Sequence, residues 1–279
     1  VCSSDLATLI SMYVAEIETA HVIGALEPIW TSKTETATRV RQRIETVLSW
    51  ATANRYRHGE NPARWKGHID QILPKPAKLK NVRHHPAVPY LEMHRFLTHL
   101  RSRLGISARV LEWQILTAVR PGEATGTRWD EIDMDAALWT IPGERMKAGI
   151  THRVPLSRPA LDILRALPVV GPFVFPGGKP KSPLSLAAGL NLMKDLRPGF
   201  VPHGLRSSFR DWCANTGVNR DVAERCLAHV LKDKSEAAYQ RSDMLEPRKR
   251  VMTAWAKFIE TPPRTGNVTN INRIPTKAS

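Results

Sequence analysis

Two prolines and three lysines fall within seven residues, Pro74-Lys75-Pro76-Ala77-Lys78-Leu79-Lys80, and His84-His85-Pro86 follows closely. Proline fixes φ and removes a backbone donor, so neither a helix interior nor a central strand runs through such a stretch. The pattern predicts an extended, basic strap between helical elements, with a merely soluble linker as the plainer alternative. The chain is therefore expected to fold as two bodies, residues 1–83 and 89–260, joined through a basic linker at about 74–88. Residues 261–279 hold prolines, asparagines and glycine with little apolar content and read as a flexible tail.

Charge is placed unevenly along the first body. Residues 1–32 carry four acids and no Lys or Arg, whereas residues 33–83 carry 12 bases against 4 acids. Ala37, Val40, Ile44, Val47, Leu48 and Ala51 recur at helical spacing and predict a core stripe. Arg39 and Arg43, four apart, share another face of the same helix. Further helices are expected at about Leu6–Ile17 and Ala63–Leu73, and Tyr90, Met93, Leu97 and Leu100 make a fourth. Counted by helices, this bundle reaches about 90–100 residues.

Beyond residue 105 the texture changes. Ile106–Val119 is apolar enough for a buried helix. Ala137–Ile141 and Arg153–Leu156 read as short strands, joined through the turn-rich Pro142–Gly149. From Ser182 to about Glu260 the pattern is mostly helical. The fold class is therefore mainly α with a small β-sheet.

Over the whole chain of 279 residues, 41 Lys and Arg against 26 Asp and Glu leave a formal charge of +15. That excess points to a polyanionic partner, with nucleic acid the default. Cys2, Cys213 and Cys226 show neither a CxxC pair nor metal-ligand spacing, so a reducing cytoplasm is expected, with no disulfide framework and no zinc. No apolar run approaches the roughly 18 residues that span a bilayer. Gly178-Lys179 lacks the first glycine of a phosphate loop, Phe173 standing in its place. Asp130, Glu131, Asp133 and Asp135 crowd into what reads as a solvated acidic turn, not a calcium or two-metal site.

The remaining signals are cationic. Arg120, before Pro121-Gly122-Glu123, places a guanidinium at a helix boundary, where it can hold two phosphate oxygens. His203-Gly204-Leu205-Arg206 puts an imidazole and a guanidinium on adjacent turns, with Arg210 continuing that face and Trp212 opposite as an anchor. Lys147 lies in the turn-rich connection, His229 closes Cys226-Leu227-Ala228-His229, and Tyr239 is the only tyrosine beyond residue 90. Singly, each has a blander reading as a surface, capping or packing residue.

Together the ordered set Arg120, Lys147, His203-x-x-Arg206, His229 and Tyr239 resembles the tyrosine recombinase (phage integrase) family. The likeness is dense at Thr117–Glu123, His203–Trp212, Leu227-Ala228-His229 and Ala238-Tyr239-Gln240-Arg241. Leu138–Pro142, Arg145-Met146-Lys147 and Val154–Ser157 further resemble the integrases of prophages and genomic islands. The resemblance implies a helical core-site DNA-binding domain followed by an α+β catalytic domain. It implies a site-specific recombinase of the bacterial cytoplasm and nucleoid that needs no metal, nucleotide or other cofactor. Its partners would be double-stranded attachment-site DNA and three further copies of the chain, with no membrane.

Residue by residue, the family pattern makes Arg120 and Arg206 the clamp on the scissile phosphate and Tyr239 the carrier of a 3′-phosphotyrosyl intermediate. His203 would assist proton transfer from the phenol, His229 would donate to a phosphate oxygen, and Lys147 would protonate the departing 5′ oxygen. Glu123 would orient Arg120. Arg39, Arg43, Lys75, Lys78, Lys80 and Arg210 are the expected DNA-binding residues outside the catalytic set. Met252, Trp255 and Ile259, after the nucleophile, face either a neighbouring protomer or the chain's own core. Integrases of this subgroup usually carry an additional N-terminal arm-site domain with no counterpart here, so the chain, starting at Val1, reads as a fragment. The rival readings are a catalytically inactive DNA-binding remnant of a prophage integrase and a DNA-nicking topoisomerase.

Overall fold

The structure is a computed structural model and describes residues 9–79, 86–179, 181–229 and 243–262, the side chains of Lys78 and Leu79 excepted. Packing divides the chain into two compact units, residues 1–84 and 85–279.

In the first unit, helix α1 (Thr19–Trp30) packs against helix α2 (Thr34–Ala53). Val22, Leu26 and Trp30 of α1 meet Ala37 and Leu48 of α2, and Ala63, Ile69 and Leu73 close the cluster. The expected helix at Leu6–Ile17 is corrected. Among the described residues only 9–11 are helical there, the chain then turns, and the longer helix starts after Glu18, where the backbone N–H bonds Nδ1 of His21 at 3.1 Å. Val47 is 54% exposed, outside the core stripe in which its spacing placed it. The helix expected at Ala63–Leu73 is a run of turns with a short 3-10 segment, Ile69–Gln71. A side chain competes with the helical pattern at its start: Asn61 donates to the carbonyl of Glu45 and accepts from the Ala63 N–H at 2.9 Å, pinning the chain to α2. Arg41 is buried beside it, bonded at 2.6 Å to both Glu45 and the Ala63 carbonyl, with its guanidinium over the Trp65 ring.

Within the predicted strap, Pro76–Leu79 forms one helical turn, not an extended run. A proline at a helix start loses nothing, since its missing N–H has no intrahelical partner there. Residues 80–85 lie outside the described set.

The second unit is built around helix α4 (Ile106–Thr117), from which eight consecutive positions, Val110–Thr117, are buried. A helix enclosed on all sides must satisfy its polar residues internally, and Glu112 does so with Arg101 at 2.6 Å and Arg109 at 2.8 Å. Helix α3 (Met93–Arg101) packs on it through Met93, Leu97 and Leu100, so this fourth stripe belongs to the second unit and not to the bundle. Helix α5 (Pro121–Thr125) follows α4 after a two-residue link and the residue Arg120. A three-stranded antiparallel sheet comes next, β1 (Ile132–Asp133), β2 (Leu138–Ile141) and β3 (His152–Pro155), in the order β1-β2-β3. Trp139 pairs with Val154 and Ile141 with His152, so all four side chains face inward on the two-residue period. The acidic turn is only partly solvated. Glu131 is buried, paired with Arg145 and bonded by Trp139 Nε1 at 2.9 Å, while Asp130, Asp133 and Asp135 face solvent.

Helices α6 (Arg158–Ala166), α7 (Leu186–Leu196), α8 (Gly204–Asn215), α9 (Arg220–Cys226) and α10 (Leu245–Glu260) complete the unit. Met252, Trp255 and Ile259 of α10 are buried in the chain's own core. Trp255 donates to the carbonyl of Ile115 at 2.8 Å and packs against Phe209 and Trp212. Of the two readings of that stripe, the internal one holds. Trp212 anchors α8 as its spacing predicts. Residues 263–279, most of the expected tail, lie outside the described set.

Candidate active site

Four helix termini converge, the ends of α4 and α9 and the starts of α5 and α8. Helix α4 ends at Ala118, which takes a left-handed conformation at φ 53° and turns the chain so that Arg120 follows in extended backbone. Pro121 then starts α5 at its first position, and Glu123 reaches back from the third. The carboxylate accepts from the Arg120 backbone N–H and from its Nη1, both at 2.8 Å.

Arg206 sits in the first turn of α8 and is 5% exposed. Its Nη1 donates to the Ala118 carbonyl and its Nη2 to the Leu227 carbonyl, each at 2.6 Å. Leu227 and Ala228 close the end of α9, and Arg120 Nη2 donates to the Ala228 carbonyl at 3.2 Å. Both guanidiniums are thus seated on the carbonyl ends of α4 and α9, where the helix dipole favours cations. Gly204 is required by the approach of α8 to residues 86–87, since a Cβ there would run into the Pro86 carbonyl. Ser208, one turn on, donates to the Val88 carbonyl.

The end of α9 carries the third member. Ala228 is left-handed at φ 49°, Ala228 N–H bonds the Arg225 carbonyl at 3.2 Å, and His229 N–H bonds the Glu224 carbonyl at 3.0 Å. This pair of bonds closes the helix and folds His229 back over it. Its Nδ1 lies 2.5 Å from Oε2 of Glu224 and its Nε2 lies 3.2 Å from Nη2 of Arg206. Arg210 completes the group, donating from Nε to the other oxygen of Glu224 at 2.7 Å.

Electrostatics make the cluster anion-seeking. Burial, then the neighbouring Arg120, pulls Arg206 down to about 10, which leaves it charged at neutral pH. No carboxylate bonds Arg206 among the described residues. His152, on β3, is pushed down to about 3 by burial, then by Arg248, Arg206 and Arg120, and stays neutral. A tetrahedral anion between Arg120 and Arg206, beside the His229 ring, would meet fixed guanidinium donors, an arrangement that stabilises charge growing on phosphoryl oxygens. Among the described residues, no group of three His, Cys, Asp or Glu side chains gathers as a metal site.

Of the expected catalytic set, Arg120, Arg206 and His229 are brought together. His203 is exposed at the start of α8, one turn before Arg206, and Lys147 is exposed in the β2–β3 connection. Tyr239 lies outside the described residues. Arg39 and Arg43 are exposed on α2, with Arg39 at 3.3 Å from Glu35, and Lys75 is exposed. Lys80 and the side chain of Lys78 lie outside the described residues. Arg210, expected on DNA, is half-buried with its Nε on Glu224.

Sequence reasoning missed Glu224 and His152. Glu224 stands five residues before His229, a spacing that faces nothing on a regular helix and becomes a contact only through the left-handed turn at Ala228. His152 occupies an ordinary inward strand position, and no spacing links it to the arginines.

The chain matches the model of the phage integrase central domain over residues 5–68 and that of the phage integrase family over residues 91–246. It is 36% identical to prophage integrase IntA of Escherichia coli K12 and 28% identical to the integrase of Enterobacteria phage P4, over 88% of this chain in each case. It spans 60% of the length of each of these relatives. Its fold is similar to that of a lambda integrase (75-356) dimer bound to a COC′ core site, with a TM-score of 0.60, 16% identity and 87% of both chains covered. A lambda integrase tetramer bound to a Holliday junction matches with a TM-score of 0.57 at 16% identity, covering 79% of this chain and 66% of that one.

Proposed function

The chain belongs to the phage integrase family, and from that membership we propose that it is a tyrosine-type site-specific DNA recombinase. It cleaves and rejoins double-stranded DNA through a 3′-phosphotyrosyl intermediate on Tyr239 and so integrates or excises a mobile element. The observation that carries the reading is the seating of Arg120 and Arg206 on two helix ends, beside His229, with no carboxylate on Arg206 among the described residues.

In this reading Arg120 and Arg206 grip the non-bridging oxygens of the scissile phosphate, and His229 donates to one of them. The Tyr239 phenol, with an ordinary pKa of about 10, loses its proton as it attacks phosphorus, and His203 assists that transfer. Lys147 protonates the 5′ oxygen as it leaves. One phosphodiester replaces another, so no external energy source enters, and attack of the freed 5′ hydroxyl on the phosphotyrosine reverses the step.

Arg39, Arg43, Lys75, Lys78 and Lys80 hold backbone phosphates outside the reacting one, and Arg210 adds its terminal nitrogens, Nε being committed to Glu224. Strand exchange is carried out by four copies on two duplexes. The protein works in the cytoplasm, on the nucleoid.

A duplex of the element's attachment site, nicked so that the 5′ fragment diffuses away after cleavage, tests the reading. The wild-type chain forms a covalent adduct stable to denaturant, and Tyr239→Phe forms none. Binding without an adduct from the wild type would instead identify a DNA-binding remnant. Relaxation of a single plasmid without two-site recombination would identify a nicking topoisomerase.

A further inference from the structure

His229 cannot meet a phosphate in the protonation state that its present partners impose. Glu224 accepts through Oε2, so Nδ1 at 2.5 Å carries the proton of that bond. Arg206 Nη2 at 3.2 Å can only donate, so in this bond Nε2 is the acceptor and carries no hydrogen. A phosphate oxygen also only accepts. For Nε2 to bond it, Nε2 must gain a proton, and Arg206 Nη2 must turn from the imidazole to the anion.

We propose that Glu224 is a positioning residue that loads His229 with a proton when phosphate enters, so that anion binding at this site takes up one proton from solvent. The carboxylate supplies what the step needs. It fixes the ring through Nδ1 and places a negative charge against the imidazolium, which then stands between Glu224 and the phosphate. The atoms balance simply: solvent gives one proton to Nε2, no covalent bond to phosphorus changes, and the proton returns when the anion leaves. Arg210 Nε, at 2.7 Å from the other oxygen of Glu224, holds the carboxylate in place and in its ionised form. Burial pushes the carboxyl of Glu224 up, but the bonds from His229 and Arg210 bring it below its usual range, so it remains charged throughout.

The side chains that touch His229 are Arg206 from α8 and Glu224 from α9, and Arg210 holds the other oxygen of Glu224. Arg120 and Glu123 act on Arg206, Arg120 and Arg206 act on His152 of β3, and Cys226 stands three residues before His229. Burial keeps His152 neutral and pushes the Cys226 thiol up to about 11, so neither changes state near neutral pH. His203, exposed at the start of α8, is the other imidazole of the candidate set and must be controlled for.

The inference rests on the reading of this cluster as a phosphate site. Sulfate is the probe, being tetrahedral and fully ionised across the pH range used. Its binding to the full chain is followed through the Nε–H resonances of Arg120 and Arg206 from pH 6 to 9. In the wild type, affinity falls as pH rises, by up to about tenfold per pH unit for one proton taken up per sulfate. Glu224→Gln flattens this dependence, Glu224→Asp restores part of it, and His203→Asn leaves it intact. Sulfate binding that is independent of pH in the wild type overturns the proposal while leaving the phosphate site standing, and the wild-type measurement decides this even if a variant does not fold. A dependence that survives in Glu224→Gln, or that is lost in His203→Asn, overturns it too. No response of either arginine to sulfate overturns both the proposal and the reading beneath it.

Discussion

Glu123 accepts both the backbone N–H and a guanidinium nitrogen of Arg120, each at 2.8 Å, from the third position of the helix that Arg120 starts. One buried carboxylate therefore caps α5 and aims a cation, and the two roles separate on mutation. Glu123→Gln keeps an acceptor for the backbone and loses the charge behind the guanidinium. Adduct formation on a nicked duplex should slow by about 10- to 100-fold, less than the roughly 100- to 1,000-fold that follows loss of a direct preorganised donor. Glu123→Ala should slow it further and also lower the unfolding temperature by several degrees. A wild-type single-turnover rate in Glu123→Ala would show that Arg120 needs no such support.

Arg206 is fixed by the Ala118 and Leu227 carbonyls, which lie in different directions from its planar head. A lysine ammonium can reach one of them but does not reproduce the fork. Arg206→Lys should lower the rate of adduct formation by about 100-fold or more. Affinity for long duplex should change little, because contacts to many phosphates elsewhere dominate it. Equal losses in binding and cleavage would place Arg206 in general DNA affinity and not in the reacting centre.

Gly204 allows α8 to start against the Pro86 carbonyl, with no room for a methyl group. In an open helix, glycine to alanine stabilises by about 0.5–1 kcal/mol. Here the sign should reverse, and Gly204→Ala should cost about 1–3 kcal/mol through overpacking. Urea unfolding of the full chain reads the difference directly. A higher midpoint in the variant would mean that residues 86–88 give way without cost.

The sequence reports side chains well where they act along a helix and poorly where a turn brings them round. The spacing of Arg206 and Trp212 places them on opposite faces of α8 with Trp212 as the anchor, and Trp212 is buried as expected. Arg206, on the other face, is 5% exposed as well, because the carbonyl ends of two other helices cover it. Those carbonyls belong to Ala118 and Leu227, residues whose side chains carry no chemistry, so the seat of the guanidinium has no residue-type signature. Ala63–Leu73 was misread for a related reason: Asn61 bonds the backbone of α2, and such competition leaves the helical pattern of apolar residues untouched. Val47 kept its helical phase but falls at the edge of the buried arc, where spacing alone does not separate core from solvent.

His152 supplies a test of the environment around the two arginines that does not depend on DNA. Burial and then Arg248, Arg206 and Arg120 push its imidazole from 6.5 down to about 3, so the folded chain holds it neutral while the unfolded chain protonates it below 6.5. Between those values the unfolded state binds more protons, and stability falls as pH falls. Above 6.5 the contribution is complete, and it is lost progressively down to about pH 3, at a slope of at most about 1.4 kcal/mol per pH unit. Among the described residues its Nε2 has no hydrogen-bond partner, while the ring bonds the Cys226 backbone, so His152→Leu removes that one bond and leaves nothing to protonate. The difference in stability between the two proteins, read by urea unfolding, should be constant above pH 6.5, where it reports the lost Cys226 bond, and should change toward pH 4.5, with the variant losing about 2–3 kcal/mol less than the wild type. Other carboxylates and histidines contribute equally to both curves, so the difference isolates residue 152. Parallel curves over that range would mean that the imidazole takes its proton inside the fold, and that β3 at this position is less desolvated than the packing makes it.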